Sequence, residues 1–543
     1  MAPITYFEEY SLSTIILFLV GSTYIFYSLI QRIALYRQRS QVIRQNGCKP
    51  YAKYPHKEPF LGLDLFYLNI GYSRARKFLE HSCKRYHAHG NTYATNFFGD
   101  NNIHTIEPEN IKTVLSVRFK DFEFSPRRVN ALAPIFGKGI FTTDGKEWEH
   151  SRTMLRPNFT RSQVADLDVF ESHIKKMIKR IPTNGETVDL SVLFFMLTID
   201  SATEFLFGQS TDVLDDGTAN KMGERFSDAF TYVSHPFGLR VPVLIIVGYG
   251  ASWQGRTSVC PVGKLAVLFP NKKYREDVQY IHNYVRVFVD KALALRKDGS
   301  LDSSEKEERY TFLAELAKNG CSAKTIQDEL LNILLAGRDT TASLLTILWW
   351  ILSRRKDVFE KLRAEVMQLG SERPTFEKIK DMKYLRYCMN ETIKSFRRSM
   401  LTQTALRLYP IVPANGRQAA RDTVLPVGGG PDGKSPIFVK KGDMVIYSSW
   451  ALHRRKDFYG EDADEFRPER WEDLRVGWQY LPFNGGPRIC IGQQFALTEA
   501  SYTTIRLLQA FKDIESRDDN PFEEMLTLTL SNLHGAKVGL TPA

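Results

Sequence analysis

The stretch that decides the fold reads LPFNGGPRICIGQQFALTEA, residues 481–500. Five of its residues form the pattern F-x-x-G-x-R-x-C-x-G: Phe483, Gly486, Arg488, Cys490 and Gly492. The glycine at position 486 permits a tight turn, and the run after the cysteine predicts a helix over roughly 491–511. Unpaired N–H groups at the start of that helix can hydrogen-bond a thiolate and lower its pKa. The pattern therefore predicts a loop that presents Cys490 as a metal ligand.

The other residues of the pattern suit a loop that holds a haem. Phe483 can cover the sulfur, and Gly492 lets the backbone approach a macrocycle closely. Arg488 can pair with a haem propionate, since guanidinium groups bind carboxylates through charge-assisted hydrogen bonds. A thiolate axial ligand donates electron density to the iron and favours O–O cleavage. The alternative, a buried cysteine in a glycine-rich turn, would not need five fixed positions.

This pattern resembles the haem-binding loop of the cytochrome P-450 family, and the resemblance covers nearly all of the chain after about residue 45. It implies a mainly α fold with small β-sheets. Haem b, iron protoporphyrin IX, would lie between a long central helix and the loop of Cys490. The resemblance also implies a monooxygenase that inserts one oxygen atom of O2 into a lipophilic substrate.

Composition and charge narrow the classes of function. The 543 residues carry a net charge of +11 and are 43% hydrophobic and 25% charged, which is ordinary for a globular protein. Basic residues are scattered and do not interleave with aromatic ones, so we expect no nucleic-acid binding. A basic surface suits an anionic membrane or an acidic protein partner. The cysteines are far apart without a C-x-x-C pair, which argues against zinc and disulfides: Cys48, Cys83, Cys260, Cys321, Cys388 and Cys490.

The N-terminal region predicts a membrane anchor, with a buried globular helix as the alternative. Residues 12–31 contain no charge and are long enough to cross a bilayer as a helix. Acidic residues precede this run and basic residues follow it, which predicts a cytosolic catalytic domain: Glu8, Glu9, Arg32, Arg37, Arg39 and Arg44. We therefore assign 1–35 to a single-pass anchor in the endoplasmic reticulum membrane, 36–60 to a proline-containing linker and 61–543 to the haem-thiolate domain.

Periodicity along the chain predicts mostly helices. Residues 322–354 form a long apolar helix, and residues 356–369 are amphipathic at helical spacing. After Pro410 the pattern changes to short strands and turns, with a loop at 427–433 and a hairpin at 436–448. This order does not fit a doubly wound sheet.

A polar segment interrupts the long apolar helix at residues 336–341, AGRDTT. Burying polar groups in a helix is costly unless they have a use, although Asp-Thr-Thr could be an internal cap or a solvated face. The resemblance implies an oxygen-activation segment. Ala336 and Gly337 would make room above the haem, Thr340 would hydrogen-bond the bound dioxygen, and Asp339 would connect it to a proton relay.

Two further motifs fit the same resemblance. Trp148 and Arg152 lie one helical turn apart, so both can point at one anion, which by similarity is a haem propionate. A cation–π pair at the surface is the alternative. FRPERW, residues 466–471, resembles a segment whose arginine, here Arg470, completes a buried triad with an E-x-x-R helix. Removing one member of such a triad typically costs about 3–5 kcal/mol.

The E-x-x-R motif itself is interrupted. Glu391 is separated from Arg407 by thirteen additional residues, 393–405. Lys394 could replace the arginine at the correct spacing, but lysine lacks the planar fork. Alternatively, residues 393–405 are extra and Arg407 is the intended partner of Glu391 and Arg470.

A second unusual stretch, residues 241–262, is more apolar than its neighbours. One interpretation is a variable, membrane-touching loop over the substrate entrance. Our sharper hypothesis is that 241–262 and 393–405 are both intron sequence translated into the chain. Sequencing the spliced transcript decides, because the hypothesis fails if both segments persist there.

The resemblance also suggests substrate and partners. Segments 47–66, 427–433 and 484–502 resemble fungal microsomal n-alkane and fatty-acid hydroxylases, which implies terminal (omega) hydroxylation. Electrons would come from NADPH through a separate membrane-bound flavoprotein, NADPH-cytochrome P-450 reductase, with cytochrome b5 as a further partner. The alternatives are oxidative tailoring of a specialised lipid or polyketide, a haem-thiolate isomerase or lyase, and a catalytically impaired haem or lipid binder.

Overall fold

The computed structural model describes residues 12–159, 166–215, 221–234, 271–298, 311–389 and 405–543. Helices dominate these ranges: α1 Leu12–Gln45, α2 Leu63–Arg74, α3 Phe78–His89, α4 Pro108–Lys112, α5 Pro126–Phe136, α6 Gly145–Leu155, α7 Leu167–Lys179, α8 Leu190–Phe207, α9 Lys221–Ser234, α10 Lys272–Lys297, α11 Phe312–Lys318, α12 Ala323–Leu352, α13 Lys356–Val366, α14 Phe376–Asp381, α15 Lys383–Met389, α16 Ala405–Leu408, α17 Ser449–Leu452, α18 Lys456–Tyr459 and α19 Gln493–Ala510. A π-helix spans Thr113–Val117.

The strands are short and fall into one six-stranded sheet and three smaller ones. Their bounds are as follows: β1 Ala52–Lys53, β2 Thr92–Phe97, β3 Asp100–Thr105, β4 Phe122–Glu123, β5 Val188–Asp189, β6 Asn415–Ala419, β7 Thr423–Gly429, β8 Ser435–Val439, β9 Met444–Tyr447, β10 Phe511–Ser516, β11 Glu524–Leu526, β12 Leu530–Asn532 and β13 Lys537–Pro542. The prediction of a mainly α fold with small sheets is confirmed.

Helix α12 is the central helix of the fold. Ser322 caps it, because its side chain accepts a hydrogen bond from the backbone N–H of Thr325. The helix is apolar on almost every side and almost wholly buried, which fits its packing against α5, α8, α10 and α19. The predicted helix over 322–354 is therefore confirmed within two residues at each end.

Two other predicted helices are also confirmed. The amphipathic run at 356–369 forms α13, followed by a 3-10 turn over Met367–Leu369. The helix predicted after the cysteine forms as α19, and it packs against α7, α12 and α13. Because α19 begins three residues after Cys490, the cysteine loop is fixed to the main helical core.

The predicted hairpin at 436–448 is wrong. Its two strands, β8 and β9, do not pair: β8 pairs antiparallel with β7, while β9 lies between β3 and β6 in the six-stranded sheet. The turn at 427–433 instead joins β7 to β8, where Gly430 and Gly433 have positive φ angles. The six-stranded sheet thus combines strands from before residue 124 with strands from after residue 414.

The N-terminal helix α1 is long, apolar and exposed. Its stretch Ile16–Gln45 is apolar enough to cross a membrane and is not buried against the rest of the chain. A second helix, α8, passes the same test of length and hydropathy, but it is largely buried in the core. Helix α1 continues past residue 35, the predicted end of the anchor, and β1 of the predicted linker pairs with β2.

Some predictions fall on residues outside the described ranges. These are Glu391, Lys394 and the two unusual stretches, 241–262 and all but the last residue of 393–405. The five cysteines within the described ranges are all free thiols.

Candidate functional site

The cysteine loop is a tight turn held by its own backbone. The N–H of Cys490 donates to the carbonyl oxygen of Phe483 over 3.0 Å, and Ile489 N–H donates to Gly486 over 3.1 Å. Between them Gly486–Arg488 forms a single 3-10 turn. The side chain of Phe483 packs against the apolar core that α12 and α19 share. These contacts fix the direction in which Cys490 projects.

Gly486 is required by close packing as well as by its backbone angle. Its φ is +67°, a region that L side chains rarely adopt. A Cβ atom at this position would lie 1.8 Å from the carbonyl oxygen of Leu115, in the π-helix Thr113–Val117. Any residue other than glycine would push the cysteine loop away from that helix.

Gly492 differs, because protein packing does not require glycine there. A Cβ atom would meet the ring of Phe159 at 3.5 Å, an ordinary contact, and φ is –90°. A Cβ atom at position 492 would therefore contact Phe159 without a clash. The close approach of a macrocycle at Gly492 stays a prediction.

Cys490 lies in a recess. Its side chain is accessible to solvent, yet surrounding protein desolvates the sulfur and raises its pKa. The backbone N–H of Gly492 donates to the sulfur and the guanidinium of Arg152 lies near it, and both effects lower the pKa. The lowering expected from backbone N–H groups is thus present at Gly492, and burial acts on the pKa in the opposite direction.

A cluster of four arginines lies beside the loop. Arg488 donates to Asp144 over 2.5 Å and to the carbonyl oxygen of Thr143 over 2.9 Å. Its guanidinium lies 4.4 Å from the centre of the Trp148 ring, and that of Arg152 lies 6.0 Å from the same ring. The structure therefore brings together the predicted residues Trp148, Arg152 and Arg488.

The other two members, Arg128 and Arg417, were not predicted. Both donate to the Asn415 side chain, over 3.1 and 3.2 Å. With Arg488 they surround the ring of Phe124, their guanidinium carbons 4.0, 4.5 and 4.3 Å from its centre. They belong to no motif: Arg128 opens α5 and Arg417 lies on β6, and only the fold brings them to Arg488.

The four arginines of the cluster carry more positive charge than a single carboxylate, that of Asp144, can neutralise. Burial and neighbouring arginines lower the pKa of Arg128 and of Arg488 to about 9. Asp144 is the acid that acts on both. The buried Nε of Arg128 has no hydrogen-bond partner in the part of the chain described. Such a cluster needs a further anion.

Helix α12 presents one accessible face in an otherwise buried element. Leu335, Ala336, Gly337 and Thr340 are partly exposed, whereas residues 326–334 and 341–352 are almost entirely buried. Leu335 and Ile491, the residue after the cysteine, pack against the same apolar cluster. The accessible face of α12 and the cysteine loop thus border one apolar region.

Asp339 and Thr340 are held differently on that helix. The Thr340 hydroxyl donates to the carbonyl oxygen of Ala336 over 2.5 Å. Asp339 is 4% exposed and accepts from Arg338 over 2.7 Å. Burial raises the pKa of Asp339 and Arg338 lowers it. A solvated face is excluded for Asp339, because its side chain is buried.

These residues fit a haem. Cys490 supplies one thiolate, and no group of three metal-binding side chains occurs among the described residues. A single protein ligand would suffice for an iron that a porphyrin also holds. The excess charge of the arginine cluster matches two propionates. The accessible small residues of α12 leave space on an apolar wall.

The predicted triad is present in part. Arg407 is buried and donates to the backbone oxygens of His453, Ala463 and Glu465. Arg470 is 7% exposed and donates to the Asp462 side chain over 2.8 Å. Burial and Arg470 lower the pKa of Arg407 to about 10. The structure brings Arg407 and Arg470 together, while Glu391 lies outside the described residues.

This chain is similar to known proteins along most of its length. A family model described as Cytochrome P450 matches residues 58–535. Cytochrome P450 monooxygenase himC of Aspergillus japonicus is 44% identical and covers 95% of this chain and 89% of its own length. Cytochrome P450 monooxygenase fsdH of Fusarium heterosporum is 42% identical over 94% and 86%. Cytochrome P450 52A4 of Candida maltosa is 43% identical over 82% and 80%.

Proposed function

This chain belongs to the cytochrome P450 family of haem monooxygenases, and from that premise we propose that it hydroxylates the terminal carbon of n-alkanes or fatty acids. The observation that supports this substrate class is the apolar wall of α12, which borders the same apolar cluster as Ile491, the residue after the cysteine. Leu335, Ala336 and Gly337 are its accessible residues; none of them is charged, and the last two have little bulk. Such a wall suits an unbranched aliphatic chain.

The residues have distinct roles in holding the haem. Cys490 would bind the haem iron through its thiolate, and Phe483, Gly486 and Gly492 shape its loop. The arginine cluster, with Trp148, would hold the propionates. When bound, the haem supplies the activation of O2, and the thiolate favours O–O cleavage by electron donation. The protein would position the haem, provide the apolar wall and deliver the protons.

Proton supply falls to Asp339 and Thr340. Thr340 lies on the accessible face of α12, so its hydroxyl can reach a molecule bound there. Asp339 is the neighbouring buried acid, and burial moves its pKa upward from 3.8, toward the range in which an acid releases and regains a proton near neutral pH. We assign Asp339 to proton delivery and Thr340 to orientation of the acceptor.

Electrons would come from NADPH through a separate flavoprotein reductase in the same membrane, with cytochrome b5 as a second donor. The net charge of +11 favours association with an acidic partner. The exposed apolar helix α1 supports a single-pass anchor in the endoplasmic reticulum membrane, with the catalytic domain in the cytosol. That location brings the enzyme to lipophilic substrates dissolved in the bilayer.

In a second candidate function, the same site oxidises a specialised lipid or polyketide. The relatives named only as monooxygenases are as similar to this chain as Cytochrome P450 52A4 is, at 42–44% identity. Sequence identity to these relatives therefore does not favour either of the two substrate classes. One methylene in an apolar pocket is worth only about 1–3 kcal/mol, so few substitutions suffice to change the preferred chain.

Product analysis tests the proposal. The full chain is co-expressed with an NADPH-cytochrome P450 reductase, and its microsomes receive dodecane or dodecanoic acid with NADPH. We expect 1-dodecanol and 12-hydroxydodecanoic acid, together with a thiolate-type carbon-monoxide difference spectrum. Normal haem content without any aliphatic product contradicts the substrate class, and absence of the spectrum supports the impaired binder.

Two cysteine variants control this experiment. Cys490→Ser removes the axial thiolate, so we expect loss of both the spectrum and the product. Cys48→Ser changes a partly buried cysteine at the end of α1, and we expect it to keep both. A product formed equally by Cys490→Ser would contradict the assignment of the ligand.

A further inference from the structure

Arg338 is a charged side chain in the middle of the most deeply buried helix. It is 3% exposed. One guanidinium nitrogen donates to Asp339 over 2.7 Å, and another donates to the hydroxyl of Thr231 on α9 over 2.5 Å. A buried guanidinium is costly unless it is paired, so these two contacts need an explanation.

The pairing with Asp339 is not the usual helical geometry. Residues adjacent in a helix point in different directions, and helical ion pairs normally join positions three or four apart. Here the two side chains converge because the guanidinium is confined. It lies over the rings of Phe195 on α8 and Phe230 on α9, 5.1 and 5.7 Å from their centres.

Arg338 is also the charged group whose field acts on Asp339 among the described residues. Other charged or titratable side chains on the surrounding helices are engaged elsewhere: Asp200 with Thr211, Glu204 with His173, Arg225 with Asp277, His282 with the Ile135 carbonyl, and Glu499 with Ser201. Thr231, Phe195 and Phe230 present neutral surfaces. Burial alone would favour the protonated form of Asp339, and Arg338 opposes it.

We propose that Arg338 is a positioning residue for proton delivery: it holds the Asp339 side chain beside Thr340 and stabilises its carboxylate, and Thr231 in turn fixes the guanidinium. The proposal rests on the role assigned to Asp339 above. In each delivery the O–H bond of Asp339 breaks and its proton passes to the acceptor beside Thr340. The carboxylate that remains pairs with Arg338 until water returns a proton, so Asp339 ends as it began.

Two substitutions separate charge from packing. Arg338→Gln removes the charge, and Arg338→Lys keeps it without the planar fork. Arg286→Gln, on the exposed face of α10 and paired with Asp290, is the matched control. All chains are full length, in microsomes with the reductase, and haem content is measured first. Oxidation of dodecanoic acid is measured at any carbon.

We expect Arg338→Gln to form roughly ten-fold less product per NADPH consumed, less than the roughly 10²–10⁴-fold that a general acid–base group itself contributes, because Arg338 acts through Asp339. Because the unpaired Asp339 stays protonated to higher pH and delivers its proton from that form, the alkaline limb of the pH profile should move upward by about one unit. Arg338→Lys should restore most of both effects. Thr231→Val should move the limb in the same direction by less.

Turnover driven by cumene hydroperoxide gives the decisive contrast, because it needs no proton delivered to O2. We expect Arg338→Gln to keep wild-type turnover with this oxidant. Equal loss with both oxidants, or a pH limb that stays in place, would overturn the proposal and leave Arg338 a packing residue. Oxidation away from the terminal carbon would contradict only the proposed substrate class, since the pH limb is read on total product.

Discussion

Arg407 and Arg470 donate to the same backbone oxygen, that of Glu465, over 3.0 and 3.5 Å. Both guanidiniums are buried, and the Nε of each has no hydrogen-bond partner among the residues that the structure describes. Two like charges in one buried site need carboxylate as well as carbonyl partners. Asp462 provides one to Arg470, and Glu391 would be the expected source of the other.

Replacing Arg470 should therefore destabilise the chain strongly. Arg470→Ala removes the buried donor to the Asp462 carboxylate and to the carbonyl oxygens of Tyr459 and Asp462, and we expect a loss of about 3–5 kcal/mol of unfolding free energy. Denaturant unfolding of the haem-loaded chain measures it, with haem content as a second readout. Arg467→Ala removes a half-exposed arginine that pairs with the same aspartate and should cost about 1 kcal/mol or less. Equal effects of the two variants would contradict a buried triad.

Gly486 and Gly433 form a matched pair for the cysteine loop. Both have φ of +67°, but a Cβ atom would collide with Leu115 at Gly486 and would meet nothing within 4 Å at Gly433. Gly433→Ala should cost about 1–2 kcal/mol from backbone strain alone. Gly486→Ala should cost clearly more and lower haem content, as read by thermal unfolding and the carbon-monoxide difference spectrum. If both variants retained haem equally, the contact with Leu115 would not support the loop.

Arg417 should contribute to haem retention although no motif identifies it. Arg417→Leu removes one cation from the cluster beside Cys490, and we expect faster haem loss to an apo-globin acceptor, by about ten-fold. The control is Arg421→Leu, four residues along the chain, where the side chain is 65% exposed and pairs with Asp121. The assignment fails if Arg421→Leu loses haem as fast as Arg417→Leu.

The cysteine loop, the central helix and the final helix could be predicted because each is a local pattern. The positions of Arg128 and Arg417 could not, since they meet Arg488 only after β6 and α5 have packed. The hairpin at 436–448 failed for a related reason. The pattern after Pro410 indicated that β8 and β9 are strands, but β9 pairs with β3, more than 300 residues earlier, and β8 pairs with β7.

Arg338 shows a different limit of sequence reasoning. It stands between Gly337 and the predicted pair Asp339 and Thr340, so its position was visible in AGRDTT. Its contact with Asp339 could not be predicted, because adjacent side chains on a helix point about 100° apart and nothing in the sequence indicates that they meet. The convergence comes from the two phenylalanine rings on α8 and α9.

Glu499 should make stability depend on pH. It is buried on α19 and accepts from Ser201, and burial raises its pKa from 4.5 to about 8. The folded chain thus keeps a proton that the unfolded chain releases between pH 4.5 and 8. The stability that Glu499 contributes is complete below pH 4.5, falls as the pH rises and is gone above about 8.

Glu499→Gln tests this by removing the titration while keeping the shape. We expect the difference in thermal midpoint, wild type minus variant, to decrease steadily from pH 5 to pH 8.5 and then to level off. A difference that stays constant over this interval would mean that Glu499 is ionised in the folded chain. Spectra recorded at each pH separate unfolding from loss of haem.

Helix α1 ends in contacts that tie it to the rest of the chain. Arg39 of α1 makes a two-point ion pair with Asp422, over 2.8 and 3.0 Å, and Lys49 and Gly430 continue the contact through backbone hydrogen bonds. A helix of 34 residues is about 51 Å long, whereas the apolar layer of a bilayer is about 30 Å thick. If α1 lies in a membrane, the contacts of its last turns would hold the helix at a fixed angle to the rest of the protein. The tilt of the helix in the bilayer would then determine which side of the protein faces the lipid.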